Sequence, residues 1–280
     1  MNSCQDYGGN PLVVRDSNFY VKEYVDDFVQ KWDELINWQS RLDLEGSFLI
    51  DYLKSQNASS VLDVATGTGF HSISLIKAGF EVTSADGSLA MLNQALSNGK
   101  KHNVELKPEL TDWRSLTLHI KTRFDAIICM GNSFTFLFDE HDRRKALAEF
   151  YSILQPNGIL IIDHRNYDAI LAGKYQQLNS FSCYRGENLR VEPEYVDQGL
   201  ARFVYEFPDG QLFHLNMFPL RKAYVRTLLE ESGFGKSDVF EDFRFERTTG
   251  LPSFYIHIAK KQNIPYLKLY PQSNSSRGLK

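Results

Sequence analysis

The chain has 280 residues, of which 42% are hydrophobic, and its 31 Lys and Arg against 35 Asp and Glu give a formal net charge of −4. This length and composition predict a globular protein with one large domain, with or without a small appendage. The slight acidic excess argues against a nucleic-acid partner, because proteins that bind phosphate backbones usually carry a basic excess or stripe.

The sequence also argues against a membrane protein and a metal site. No apolar stretch approaches the ~20 residues that span a bilayer, and the first ten residues lack the basic start and apolar core of a signal peptide. The three cysteines, Cys4, Cys129 and Cys183, match neither a disulfide framework nor a metal-ligand spacing. We therefore expect a cytoplasmic, reduced protein with no membrane partner and no metal.

In chain order, the first predicted elements are two helices, at 20–36 and 41–55, where apolar residues recur at close to helical spacing. Strand-like and helix-like stretches then alternate. The strands are predicted at 60–65, 81–86, 124–130 and 158–163, and the helices at 70–80, from the N-cap Ser88 to 96, and at 139–158. This alternation predicts an α/β fold with a doubly wound, mostly parallel sheet that is covered on both faces.

Beyond residue 175 the pattern changes. The stretches 180–196 and 200–218 alternate around turns such as Pro208-Asp209-Gly210, which is typical of antiparallel strands. A helix at 221–232 and a last strand at 253–260 follow. We interpret the strands at about 175–220 as an insertion that folds over the carboxyl edge of the sheet.

A glycine-rich loop is the most informative motif. In VLDVATGTGFHS, residues 61–72, Gly67 and Gly69 lie between a strand and a helix, where the backbone can approach a ligand closely and the helix start offers N–H donors. Asp86 ends the next strand, the position at which doubly wound folds place an acid against ribose hydroxyls. Together these features predict a nucleotide-type ligand.

The residues around this loop bear on which nucleotide binds. Ser72 stands where the dinucleotide fingerprint has its third glycine, and Asp63 is a poor neighbour for a diphosphate. Asp112 and Trp113, after a third strand, offer a hydrogen-bond acceptor and an aromatic face for adenine. An acidic surround suits a cationic sulfonium, so the sequence favours S-adenosyl-L-methionine, with a nicotinamide dinucleotide or no ligand as the alternatives.

Four stretches are similar to the glycine N-methyltransferases, especially the glycine/sarcosine enzymes that make the osmolyte glycine betaine. They are VLDVATGTGFHSISL, GFEVTSADGSLAML, FDAIICMGNSF and LIIDHRNYDAIL. The resemblance covers residues 20–261, and its GNSF and DHRNYD blocks are more specific than the glycine loop. It implies a Rossmann-like class I methyltransferase that methylates glycine and sarcosine and releases S-adenosyl-L-homocysteine.

The resemblance also implies the cofactor contacts. Arg41 matches an arginine that binds the carboxylate of the cofactor's methionine part, Asp86 would hold both ribose hydroxyls, and Asp112 and Trp113 would bracket the adenine.

Further matched residues surround the sulfur end of the cofactor. Ala65 and Gly67 would line the amino-acid end, and Met130 would supply a backbone contact beside the sulfonium. Tyr24 and Trp32, with the neighbouring Tyr20, match an aromatic segment that closes over the cofactor in the family. Their spacing differs slightly, and a plain amphipathic helix is the alternative.

For the acceptor, Asn132 and Arg165 match the residues that hold glycine, Tyr205 matches a tyrosine beside the transferred methyl group, and Tyr184 is a looser match. A guanidinium grips an α-carboxylate with two parallel hydrogen bonds. The alternative for Arg165 is a structural salt bridge to a neighbouring aspartate, Asp163 or Asp168, with Asp163 otherwise orienting the arginine.

One departure from the family concerns the acceptor. Met217 and Phe218 stand where the mammalian-type enzymes have two tyrosines, which removes hydroxyls from the pocket wall, and we therefore expect sarcosine to be accepted as well as glycine. A glycine-only enzyme and a non-catalytic cofactor-binding module are the alternatives. A nucleic-acid methyltransferase would have an Asn-Pro-Pro-aromatic block where this chain has GNSF. The long N-terminal arm of tetrameric relatives is not matched, so the oligomeric state stays open, with a homo-oligomer as one possibility.

These considerations divide the chain into four parts. We predict an N-terminal helical segment at 1–57 that closes over the site and a methyltransferase core at 58–173 and 221–261. An antiparallel substrate cap is predicted at 174–220 and a flexible tail at 262–280.

Overall fold

The computed structural model describes residues 4–178 and 189–262 and contains a seven-stranded sheet and a separate three-stranded sheet. Numbered along the chain, the strands are β1 (Ser60–Asp63), β2 (Glu81–Asp86), β3 (Pro108–Leu110), β4 (Phe124–Cys129), β5 (Leu154–Arg165), β6 (Arg190–Val196), β7 (Ala201–Glu206), β8 (Leu212–Met217), β9 (Asp238–Glu241) and β10 (Phe254–Lys260). Tyr184 and the predicted tail beyond Gln262 lie outside the described residues.

The large sheet has the order β3-β2-β1-β4-β5-β10-β9. Its first five strands run parallel, while β10 is antiparallel to both β5 and β9. Central strands are buried on both faces, as Val61 and Leu62 of β1 show with no exposed surface. The chain order reverses between β1 and β4, so their carboxyl ends form the crevice in which such sheets bind ligands. The predicted α/β, mostly parallel fold is confirmed.

Helices cover both faces of this sheet. They are α1 (Tyr20–Glu23), α2 (Asp26–Ile36), α3 (Trp38–Glu45), α4 (Phe48–Ser55), α5 (Phe70–Lys77), α6 (Leu89–Lys101), α7 (Leu116–His119), α8 (Glu140–Ile153), α9 (Tyr167–Leu171) and α10 (Lys222–Glu231). Ser88 caps α6 as predicted, with its hydroxyl accepting a hydrogen bond from Met91 N. Among the described helices, none has both the length and the apolar composition needed to cross a membrane.

Each of the two predicted N-terminal helices is divided in the structure. The chain is extended at Val25 between α1 and α2, and Asp26 and Asp27 favour a new helix start there because carboxylates stabilise helix N-termini. Gly46 separates α3 from α4 with φ 54° and ψ −139°, a conformation that favours glycine. The prediction of continuous helices was wrong at these points, because apolar spacing does not reveal a break in the backbone.

The small sheet consists of β6, β7 and β8, which are antiparallel as predicted, and N-terminal residues cover its edge strand β8. His214 N donates to Gln5 Oε1 (2.7 Å), and Gln5 Nε2 donates to the His214 carbonyl (2.8 Å). Asn216 N donates to Glu23 Oε1 at 2.8 Å. These side chains take the place of a neighbouring strand, and they tie the N-terminal segment to the small sheet.

Candidate active site

A cleft lies at the carboxyl ends of β1, β2 and β4, beneath the N-terminal helices. All nine residues predicted to contact the cofactor line it: Tyr24, Trp32, Arg41, Ala65, Gly67, Asp86, Asp112, Trp113 and Met130. The fold thus brings together residues that are up to 106 positions apart in the sequence, from Tyr24 to Met130.

The glycine loop positions the carboxylate of Asp86. Gly67 N donates to Asp86 Oδ2 and Ser88 N donates to Asp86 Oδ1, both at 2.8 Å. Gly69 has φ 97°, and a Cβ on it would lie 3.3 Å from Cβ of Ala95 in α6, so glycine is required by both conformation and packing. Desolvation raises the pKa of Asp86 to about 6. The carboxylate is therefore fixed by backbone donors at the rim of the cleft.

Next to Asp86, Arg114 engages the carboxylate of Asp112. Arg114 donates from its backbone N (2.7 Å) and Nε (2.8 Å) to Asp112 Oδ1. Although burial acts in the opposite direction, these hydrogen bonds hold the pKa of Asp112 below its usual range. The indole Nε1 of Trp113 donates to the Val64 carbonyl at 2.5 Å, which fixes the ring on the cleft wall. Arg114 was not predicted from the sequence as a site residue.

The opposite end of the cleft carries a buried cation. Arg41 is only 3% exposed, its Nε donates to Glu45 Oε1 at 2.6 Å, and its guanidinium lies 4.6 Å from the centre of the Phe70 ring. His71 Nε2 is 2.9 Å from Glu45 Oε2. Although burial acts against it, the positive charge of Arg41 and the contact with His71 lower the pKa of Glu45 to about 2. Neither Glu45 nor His71 was predicted from the sequence, although the i, i+4 spacing of Arg41 and Glu45 is typical of paired side chains on one helix face.

The predicted acceptor residues meet in a second, buried cluster. Arg165 N donates to Asn132 Oδ1 at 3.0 Å, and the positive charge of the Arg165 side chain acts on the nearby Tyr205 hydroxyl. The guanidinium of Arg165 also lies 5.0 Å from the centre of the Phe203 ring. Asn132 Nδ2 is within hydrogen-bonding distance of Met217 Sδ, at 3.0 Å. Burial raises the pKa of Tyr205 to about 12, so its hydroxyl stays protonated at neutral pH.

Tyr167 belongs to this cluster too, although the sequence did not indicate it. Its hydroxyl accepts a hydrogen bond from Asn132 Nδ2 at 2.9 Å, and its side chain has no exposed surface. Asn132 adopts the left-handed conformation, with φ 64°, that turns its amide toward this group. Asparagine tolerates this conformation better than most residues.

The two neighbouring aspartates contact backbone N–H groups. Asp163 Oδ1 accepts from Asn132 N at 2.8 Å, and Asp168 Oδ2 accepts from Lys222 N at 3.0 Å. Asp163 is fully buried, and desolvation raises its pKa to about 6. Its Oδ2 has no hydrogen-bond partner among the described residues. Asp163 therefore orients the Asn132 loop directly.

The acceptor cluster lies behind the cleft wall. Of the described residues that line the cleft, Met130, Gly131 and Ser133 flank Asn132, whereas Asn132 itself, Arg165 and Tyr205 are not among them. Trp32 connects the two regions, since it lines the cleft and its ring centre is 6.5 Å from that of Tyr205. Tyr184, the fourth predicted acceptor residue, lies outside the described residues.

Comparisons with known proteins agree with this geometry. A family model described as a methyltransferase domain matches residues 61–158. The glycine/sarcosine N-methyltransferase of Aphanothece halophytica is 57% identical, covering 92% of this chain and 97% of that protein, and that of Halorhodospira halochloris is 55% identical, covering 92% and 96%. A solved S-adenosylmethionine-dependent methyltransferase from Clostridium acetobutylicum shares the fold, with a TM-score of 0.65 at 17% identity over 85% of this chain and 98% of that one. The chain belongs to the glycine/sarcosine N-methyltransferase family of class I, S-adenosylmethionine-dependent methyltransferases.

Proposed function

We propose that this protein transfers methyl groups from S-adenosylmethionine to the amine of glycine and then to that of sarcosine, producing N,N-dimethylglycine. These are early steps in the synthesis of glycine betaine. The observation that carries the proposal is the placement of an arginine–asparagine–tyrosine cluster, Arg165, Asn132 and Tyr205, directly behind a cleft lined by every predicted cofactor residue.

The residues of the cleft fit S-adenosylmethionine in both charge and shape. No atom lies within 4 Å of the position that a Cβ on Gly67 would take, so this glycine leaves open space beside Asp86. Asp163, which is buried behind the cleft wall and has no hydrogen-bond partner at Oδ2 among the described residues, adds negative charge near Arg41, which suits a ligand that carries both cationic groups and a carboxylate. Asp86 would hold the ribose, Trp113 and Asp112 the adenine, and Arg41 the methionine carboxylate.

The remaining predicted contacts complete the cofactor site. Ala65 and Gly67 would line its amino-acid end, the backbone of Met130 would lie beside the sulfonium, and Tyr24 and Trp32 would cover it. When bound, S-adenosylmethionine supplies an electrophilic methyl group that is already activated. The protein's own task is therefore to position the acceptor amine in line with that group, and this task needs neither a metal nor a covalent nucleophile.

Arg165 is suited to bind the acceptor's carboxylate. Its planar guanidinium can make two parallel charge-assisted hydrogen bonds, and its position over the rings of Phe203 and Phe254 restricts its rotation. Asn132 Nδ2 is held by a good acceptor, Tyr167, and by a weak one, Met217 Sδ. The contact with sulfur is easily exchanged for one with substrate oxygen. The acceptor amine must lose its proton before attack, so activity should rise with pH.

An Arg165→Ala variant tests this proposal. We expect kcat/KM for glycine to fall by roughly 10²–10³-fold, as is typical when one partner of a buried, hydrogen-bonded charge pair is removed, while S-adenosylhomocysteine binds with unchanged affinity. Arg190→Ala, which removes an exposed arginine of β6, is the matched control and should leave both quantities unchanged. Full activity of Arg165→Ala would refute the acceptor site. Methylation of glycine without methylation of sarcosine by the wild type would instead favour the glycine-only alternative, and cofactor binding without any turnover would favour a binding module.

A further inference from the structure

Glu45 is buried and makes two hydrogen bonds, but it does not reach the cleft. It is 6% exposed, with Oε1 accepting from Arg41 Nε at 2.6 Å and Oε2 lying 2.9 Å from His71 Nε2. Among the described residues that line the cleft are Arg41 and His71, but not Glu45. Glu45 can therefore contact a ligand in the cleft only through its neighbours Arg41 and His71.

These contacts restrain Arg41 from several directions. Glu45 engages Nε, the inner nitrogen of the guanidinium, and the Phe70 ring lies 4.6 Å from the guanidinium carbon. Arg41 Nη2 is 3.4 Å from His71 Nε2. Because an ionised carboxylate only accepts hydrogen bonds, His71 Nε2 must carry the proton that faces Glu45, and His71 therefore acts on Arg41 through Glu45 rather than by accepting from Nη2. The carboxylate thus aligns both side chains at once, in a pocket from which water is nearly excluded.

We propose that Glu45 and His71 are positioning residues that hold Arg41 in the one conformation in which it receives the carboxylate of the cofactor's methionine part. An arginine side chain is long and flexible, so fixing it before the ligand arrives lowers the entropy lost on binding. This inference rests on the proposed function, since that proposal assigns the carboxylate to Arg41. The competing explanation is that the buried ion pair only stabilises the packing of α3 against α5.

Two ligands separate these explanations. S-Adenosylhomocysteine carries the amino-acid carboxylate, whereas 5′-methylthioadenosine has the same nucleoside and sulfur but lacks the amino-acid part. Binding of each is measured by titration calorimetry to the wild type and to Glu45→Gln. We expect Glu45→Gln to weaken the binding of S-adenosylhomocysteine about 10- to 100-fold, the loss typical when a group that orients a metal-binding residue is removed, and to change the affinity for 5′-methylthioadenosine less than about twofold. Glu140→Gln, which breaks an exposed i, i+4 pair with Arg144, is the control and should alter neither.

The same measurements in an Arg41→Gln variant make the test independent of fold stability. Arg41→Gln should show the same selective loss, and adding Glu45→Gln to it should weaken S-adenosylhomocysteine no further, because the two residues act as one unit. His71→Asn, which removes a single hydrogen bond, should give a smaller loss of the same selectivity and serves if Glu45→Gln does not fold.

The outcomes distinguish the two proposals. Equal weakening of both ligands by Glu45→Gln and by His71→Asn, or no weakening of either, would overturn the positioning role while leaving the proposed function intact. If the wild type binds S-adenosylhomocysteine no more tightly than 5′-methylthioadenosine, the assignment of Arg41 to the carboxylate fails, and the positioning role fails with it.

Discussion

Glu23 is a buried carboxylic acid whose ionisation should control the stability of the N-terminal segment. It is 1% exposed, and its Oε1 accepts hydrogen bonds from Asn216 N (2.8 Å) and the Tyr7 hydroxyl (3.0 Å). Desolvation raises its pKa from 4.5 to about 8, despite these hydrogen bonds and the nearby charge of Arg202. Glu23→Gln removes the ionisation and keeps a side-chain oxygen at this position.

The expected magnitude follows from linkage between proton binding and folding. Between pH 4.5 and about 8 the folded state holds a proton on Glu23 that the unfolded state has released, so this group makes stability fall as pH rises. Each pKa unit corresponds to about 1.4 kcal/mol. Ionised Glu23 therefore costs the folded state about 5 kcal/mol once the pH exceeds 8, of which about 4 kcal/mol appears between pH 5 and pH 9.

Urea unfolding of the wild type and of Glu23→Gln at several values between pH 5 and pH 9 measures this effect. We expect the free energy of unfolding of the variant to exceed that of the wild type progressively as pH rises, by several kcal/mol at pH 9 relative to pH 5. Other titrating groups are common to both proteins and cancel in the difference. Parallel stability curves, with a constant difference across this range, would refute the reasoning.

Three further predictions concern the acceptor pocket, the glycine loop and a histidine pair. Met217→Tyr should lower kcat/KM for sarcosine relative to glycine by about 10-fold, because a larger, polar ring replaces the thioether beside Asn132; an unchanged ratio in steady-state assays would exclude Met217 as a determinant of specificity. Gly69→Ala should lower the free energy of unfolding by about 1–3 kcal/mol, measured by urea titration, since alanine is strained at φ 97°; a variant as stable as the wild type would contradict this. Burial lowers the pKa of His164 to about 4, and its Nε2 lies 3.0 Å from that of His257. Because the unfolded state takes up the proton first, acidification from pH 6.5 to pH 4 should lower the free energy of unfolding by about 3 kcal/mol. In His164→Gln the free energy of unfolding should fall less steeply between pH 6.5 and pH 4, and an equally steep fall would show that His164 does not cause it.

The main features of the fold were predictable from the sequence because they depend on local patterns. Apolar runs that end at Asp63 and Asp86, or shortly before Asn132, mark strands whose carboxyl ends meet at one edge of a parallel sheet. The glycine loop was predicted as a turn between a strand and a helix, and both Gly67 and Gly69 adopt positive φ there.

Other features depend on contacts between distant segments, which no local pattern records. Glu45 and His71 are 26 residues apart and meet only when α3 packs against α5. Tyr167 reaches Asn132 across 35 residues, and its identity as an aromatic residue alone predicts a core position as readily as a place in the site. The division of the chain into four parts and the roles assigned to site residues stay predictions.

Product analysis with the wild-type enzyme tests the central claim most directly. The enzyme is incubated with S-adenosylmethionine and with glycine, sarcosine or dimethylglycine in separate reactions, and the methylated products are identified by mass spectrometry. We predict that glycine yields sarcosine and then N,N-dimethylglycine, and that sarcosine yields N,N-dimethylglycine. The absence of methylated product from both glycine and sarcosine, in a protein that binds S-adenosylhomocysteine, would contradict the account.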